Sequence, residues 1–162
     1  MATDTLAGDR HNVLVDDEQL LISELTELAL TQAAPDELVV FDETAEEYFA
    51  DPEAALSASS SDQAVGFGLE LAMLTPAALA VGSAVVQALG SMLSEAGGRG
   101  VSALLRRLLR RGQQPDPALT LTHDQARYVR DVALARAHAL GLPPQQAHLL
   151  ADSFVGALVT SG

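Results

Sequence analysis

The strongest chemical signature in the chain is a group of five arginines between residues 97 and 115, a stretch that contains no acid. Four of these arginines share residues 101–111 with apolar side chains spaced i, i+3, i+4, i+7 and i+8, which is the pattern of an amphipathic helix. A cationic amphipathic helix binds anionic lipid, and each arginine near the headgroups contributes on the order of 1 kcal/mol. We therefore predict an anionic membrane contact through Val101, Leu104, Leu105, Arg106, Arg107, Leu108, Leu109, Arg110 and Arg111.

The segment before the arginines is apolar enough to enter a bilayer. Residues 71–94 carry no charged side chain, and ~20 apolar residues suffice to cross a membrane. The segment is rich in alanine, contains Pro76 and follows Glu70, so a spanning helix, a reversibly inserted helix and a buried core helix all stay open. Small residues four positions apart let helices approach closely. We predict helix–helix packing and a homo-oligomer through Ala80, Ala84, Ala88, Gly82 and Gly90.

The other chemically capable residues predict neither catalysis nor a cofactor. His138 and His148 flank a Gly-Leu-Pro turn and are expected to approach each other, but two histidines without a third ligand make a poor zinc site. The acids between Asp36 and Glu53 lack the ligand order of a calcium loop, which favours a solvated face. The sequence has no nucleophile elbow and no phosphate-binding loop. We therefore expect a non-catalytic protein without a metal or cofactor.

The charge is divided unevenly along the chain. The net charge of −13 comes from residues 1–63, with sixteen acids and one arginine (−15), and from residues 64–162, with eight arginines and six acids (+2). An acidic protein repels phosphate backbones, so we expect no nucleic-acid partner. The acidic part is instead predicted to mask the arginine helix by charge attraction.

The hydrophobic periodicity predicts a mostly α-helical protein. The predicted boundaries are a flexible arm at 1–15, an acidic helical region at 16–56, a Ser-rich linker at 57–63, apolar and arginine-rich helices at 64–111, a Pro-rich linker at 112–119 and an αα-hairpin at 120–160. The apolar segment proper is taken as residues 66–94. The first helix is expected from Asp16 to just before Pro35. Residues 37–41 are β-branched and aromatic, and either a short strand or the first turns of a helix fits them.

The C-terminal hairpin has the clearest local signals. Thr122 with Gln125 forms a capping box, Gly141 ends the first helix, and Pro143 and Pro144 open the second. The predicted buried faces are Ala126, Val129, Ala133, Ala137 and Leu140 on the first helix, and Ala147, Leu150, Ala151, Phe154 and Leu158 on the second.

Two function classes follow from these patterns. The first is a membrane-associating helical protein, either a membrane-perturbing effector or a membrane-anchored adaptor. The second is a soluble scaffold or assembly subunit whose apolar segment is core or oligomer interface.

The chain has no cysteine, which is consistent with a reducing compartment, and no signal-peptide pattern at its start. We therefore expect a cytoplasmic protein at the inner face of the plasma membrane. Nine arginines without a lysine, in an Ala- and Leu-rich chain, are typical of GC-rich bacterial coding.

Overall fold

A computed structural model describes residues 5–61, 74–95 and 121–160, and the chain is helical in all three ranges. The fold is mostly α, as predicted. The elements in chain order are α1 (Thr5–Ala33), a 3-10 helix (Pro35–Val40), α2 (Phe41–Ala50), α3 (Pro52–Ser61), α4 (Thr75–Glu95), α5 (His123–Ala139) and α6 (Pro144–Thr160).

Helix α1 is longer than the sequence pattern indicates. It begins at Thr5 rather than at Asp16, so the backbone is helical over most of the predicted flexible arm. It ends at Ala33, before Pro35, as expected, because a proline disfavours helical geometry in the residue before it. The leucines predicted to repeat along one face lie inward: Leu21 and Leu25 are buried and Leu28 is partly buried.

The short strand considered for residues 37–41 is wrong. Residues 35–40 form the 3-10 helix, and α2 begins at Phe41. Pro35 fixes its own φ and has no N–H to satisfy, which suits the first position of a helical turn. Helix α3 then continues to Ser61, so most of the predicted Ser-rich linker is helical.

The cap, the turn and most of the buried faces predicted for the hairpin are confirmed. Thr122 Oγ1 accepts from the Gln125 backbone N–H at 3.2 Å, and Gln125 Oε1 accepts from the Thr122 backbone N–H at 2.8 Å, which completes the capping box. Gly141 follows α5 with a φ of 83°, a conformation that glycine adopts without strain. The predicted inward face of α6 is buried, and so are Val129, Ala133 and Ala137 on α5. Ala126 and Leu140, which were also predicted on the buried face of α5, are half-buried.

The helices share one hydrophobic core. Helix α4 packs against α1, α2, α3 and α5, while α6 packs against α1 and α5. Buried residues from α1, α2, α4, α5 and α6 belong to a single cluster. The predicted boundary at 57–63 therefore does not separate two cores within the described ranges, and the acidic region folds together with the hairpin.

Candidate interaction site

Helix α4 is the part of the apolar segment that the structure describes, and it is a core helix. By length and composition it is the one described helix that could cross a membrane, yet 56% of its most apolar stretch is buried inside the fold. Its inward side chains include Leu79, Val81 and Val85, each with no exposed surface. Pro76 does not interrupt the helix, because it lies in the first turn, where its missing N–H costs no hydrogen bond. The same residues that suit a bilayer thus fill the interior.

The small residues predicted to pack helices lie mostly inside the protein. Ala80 and Ala88 are 1% and 8% exposed, and Gly82 is buried. Ala84 and Gly90 are half-buried. The close helix approach that these residues permit is made within one chain, and self-association stays a prediction.

Gly82 of α4 lies in close contact with α1. A Cβ atom at Gly82 would clash with Thr26 Oγ1 of α1 and would lie 3.4 Å from the ring of Phe154 of α6. The Thr26 side chain is completely buried, and its hydroxyl has no hydrogen-bond partner. The buried hydroxyls of Thr44 and Ser153 instead donate to backbone carbonyls four residues earlier. An unpaired buried hydroxyl costs about 1–3 kcal/mol, so the seam between α1 and α4 is not optimised for stability.

The N-terminus of α4 is held by a carboxylate from a distant part of the chain. Glu37 lies in the 3-10 helix, and its Oε1 accepts from the Leu74 backbone N–H at 2.7 Å. Its Oε2 accepts from the Thr75 backbone N–H, also at 2.7 Å, and from the Thr75 hydroxyl. A carboxylate at this end complements the helix dipole and satisfies N–H groups that have no partner within the helix.

The sequence pattern did not identify the role of Glu37. It grouped Glu37 with the other acids between residues 36 and 53, which were predicted to be a solvated face. Asp42, Glu43, Glu46 and Glu47 of α2 are indeed exposed, whereas Glu37 is half-buried. Nothing local distinguishes Glu37, because its partners lie 37 and 38 residues further along the chain.

A polar ladder crosses the outer surface of the α5–α6 hairpin. Arg130 Nε donates to Asp152 Oδ1 at 2.6 Å, and Arg130 Nη2 lies 3.4 Å from His148 Nδ1. The hydrogen bond from Arg130 to Asp152, together with the carboxylate charge, raises the pKa of Arg130. Both partners are well exposed to solvent, and exposed ion pairs contribute little to stability.

The two hairpin histidines meet as predicted. The rings of His138 and His148 are 6.2 Å apart and arranged edge to face. Within the described residues, no group of three or more His, Asp or Glu side chains has the arrangement needed to hold a metal ion. The arrangement therefore joins the two helices at the surface without forming a recognisable metal centre.

The predicted membrane contact, residues 101–111, lies outside the described ranges. The structure places its attachment points, since α4 ends at Glu95 before it and α5 begins at His123 after it. The prediction for this segment continues to depend on the sequence pattern alone.

Comparison of the chain with protein-family models, curated proteins and solved structures finds no significant match.

Proposed function

We propose that this protein acts by binding rather than by catalysis, and that it associates peripherally with an anionic membrane through residues 101–111. The observation that carries the proposal is the burial of α4 among α1, α2, α3 and α5. Because α4 is part of the core in this fold, we assign the membrane contact to the arginine-rich segment at residues 101–111. Its leucine stripe and acid-free arginines support a location at the headgroup level. The membrane side is the cytoplasmic face, where anionic lipids lie.

The test is flotation of the purified protein with phosphatidylcholine vesicles, with and without phosphatidylserine. Binding is expected only with phosphatidylserine, and about 0.5 M salt should release it, since the Debye length then falls to a few ångströms. Replacing Arg106 and Arg107 by glutamine should weaken binding roughly 30-fold, at on the order of 1 kcal/mol for each arginine.

The matched control removes the same charge elsewhere. Arg127→Gln with Arg136→Gln changes two exposed arginines of α5 and is expected to leave vesicle binding close to that of the unmodified protein. Equal losses in the two double variants, or equal binding to both kinds of vesicle, would contradict a specific contact at residues 101–111.

The acidic face of α2 is proposed to weaken this binding by masking the arginines. Helices α1 and α2 form part of the core, so the test must change only exposed acids. Neutralising the four exposed acids Asp42, Glu43, Glu46 and Glu47 as amides leaves the buried residues intact. We expect this variant to float at higher salt than the unmodified protein, and unchanged salt sensitivity would remove the masking proposal.

The second candidate is a scaffold or assembly subunit whose arginine segment binds an acidic protein. The burial of α4 in the core supports this class as well, because an apolar helix that is covered by other helices needs no membrane around it. It would be supported if vesicle binding is absent while the chain forms a homo-oligomer by light scattering.

A further inference from the structure

Helix α4 combines two properties that the other described helices do not share. It alone has the length and apolar composition of a membrane-spanning helix. Its N-terminus is also bound by a residue from outside the helix, since the Glu37 carboxylate accepts hydrogen bonds from the backbone N–H groups of Leu74 and Thr75. The apolar helix is therefore held in place by a charged contact at one end.

The rest of α4 is held mainly by apolar packing. Its middle lies against α1 at Gly82, where the Thr26 hydroxyl is buried without a partner. Its last residues, Ser94 and Glu95, are exposed. The apolar surface of α4 itself can exchange protein contacts for lipid contacts with little change in free energy, because lipid tails are as apolar as the core. The cost of release is the exposure of the apolar faces that α4 covers on its partner helices. The charged contact at Glu37 has no equivalent in lipid.

Three of the remaining helices contact one another directly, since α6 packs against both α1 and α5. We expect α1, α5 and α6 to keep these contacts in a molecule that has released α4.

We propose that Glu37 is a latch that keeps α4 in the core, and that opening it allows α4 to insert into a bilayer to which the protein has already bound. The inference rests on the proposed membrane contact for the first step, and adds a second, inserted state. In the closed state the carboxylate hydrogen-bonds to α4, and in the open state that carboxylate is solvated and α4 lies in lipid.

The experiment compares Glu37→Gln with Asp36→Asn. Both variants remove one negative charge from neighbouring positions, but Asp36 is exposed and only Glu37 contacts α4. The amide nitrogen of glutamine cannot accept a hydrogen bond, so one of the two N–H groups loses its partner. Hydrogen exchange of the Leu74 and Thr75 amides should accelerate at least about tenfold in Glu37→Gln, because bonds to a charged group are strong. Exchange of these amides should not change in Asp36→Asn.

Insertion is measured on vesicles of phosphatidylcholine and phosphatidylserine by extraction with carbonate. The unmodified protein and Asp36→Asn should be extracted, whereas a carbonate-resistant fraction should appear in Glu37→Gln. Salt-releasable binding without a resistant fraction in Glu37→Gln would overturn the latch and leave the peripheral contact standing. Resistance in Glu37→Gln without salt-releasable binding of the unmodified protein would instead support the latch and contradict the proposed function. No binding by any variant would overturn both.

Circular dichroism in the absence of vesicles separates release of α4 from general unfolding. Glu37→Gln should keep the helicity of the unmodified protein in solution, and a general loss of helicity in this variant would overturn the latch.

Discussion

Helices α4 and α5 are both capped at their N-termini by side-chain oxygens, but the caps come from different distances along the chain. Helix α5 is capped by the adjacent Thr122 in a reciprocal pair with Gln125. Helix α4 is capped by Glu37, which precedes it by more than thirty residues. A local cap sets where a helix begins, whereas a distant cap also sets what the helix packs beside.

The two helices differ in their faces as well. Helix α5 alternates buried alanine and valine with exposed charged side chains, so its position on a core follows from its own pattern. Helix α4 is apolar almost all round, and its pattern suits a bilayer and a protein interior equally. The position of α4 therefore depends on the helices that cover it, α1, α2, α3 and α5, and on the contact with Glu37.

The first prediction has the largest expected effect and compares how much α4 and the hairpin contribute to the stability of the core. Leu79 of α4 and Leu150 of α6 both have no exposed surface, so each Leu→Ala replacement is expected to lower the free energy of unfolding by about 2–5 kcal/mol. Urea unfolding followed by circular dichroism measures both. The exposed Leu20 of α1 serves as the control, since its replacement by alanine should change stability by less than about 0.5 kcal/mol. A small effect of Leu79→Ala beside a large effect of Leu150→Ala would separate α4 from the common core.

The elements that could be predicted from sequence are those whose signals are local. The capping box at Thr122, the turn at Gly141 and the buried stripe of α6 follow from residues a few positions apart, and the structure bears each of them out. The approach of His138 to His148 also follows, because the two residues flank a short turn between antiparallel helices.

The features that could not be predicted depend on contacts between distant segments. The identity of α4 as a core helix requires the positions of α1, α2 and α5, which its own composition does not reveal. The role of Glu37 and the contact of Gly82 with Thr26 belong to the same class. The early start of α1 at Thr5 is different, since residues 5–15 lack an apolar period and no sequence signal marked them as helical.

The second prediction compares the two caps directly. Glu37→Gln is expected to lower the free energy of unfolding by about 2 kcal/mol, because it weakens hydrogen bonds to a charged acceptor. Thr122→Ala removes a neutral local cap and should cost about 1 kcal/mol. Chemical denaturation of both variants under the same conditions gives the ranking. If Thr122→Ala proves the more damaging, the distant cap contributes less to α4 than its geometry suggests.

The third prediction concerns the unpaired hydroxyl at the α1–α4 seam. Thr26→Val replaces that hydroxyl by a methyl group of similar size, so we expect the protein to gain about 1 kcal/mol of stability. The matched control is Thr44→Val, the same replacement at a buried position whose hydroxyl donates to the Val40 carbonyl. The melting temperature should rise for Thr26→Val and should not rise for Thr44→Val. A fall for both would indicate that the Thr26 hydroxyl has a stabilising role in the folded protein.

The smallest effect is expected where the hairpin carries its most conspicuous polar contact. Arg130 and Asp152 form a short ion pair, yet both side chains are solvated, so neither Arg130→Gln nor Asp152→Asn should change the unfolding midpoint appreciably. A double-mutant cycle isolates their coupling, and measuring it at low and high salt shows how much of it is screened. A large coupling that persists in high salt would mean that the ion pair between Arg130 and Asp152, rather than the buried apolar side chains, holds α5 to α6. The hairpin would then resemble α4 in depending on a charged contact as well as on its apolar face, and the contrast between the two regions would fail.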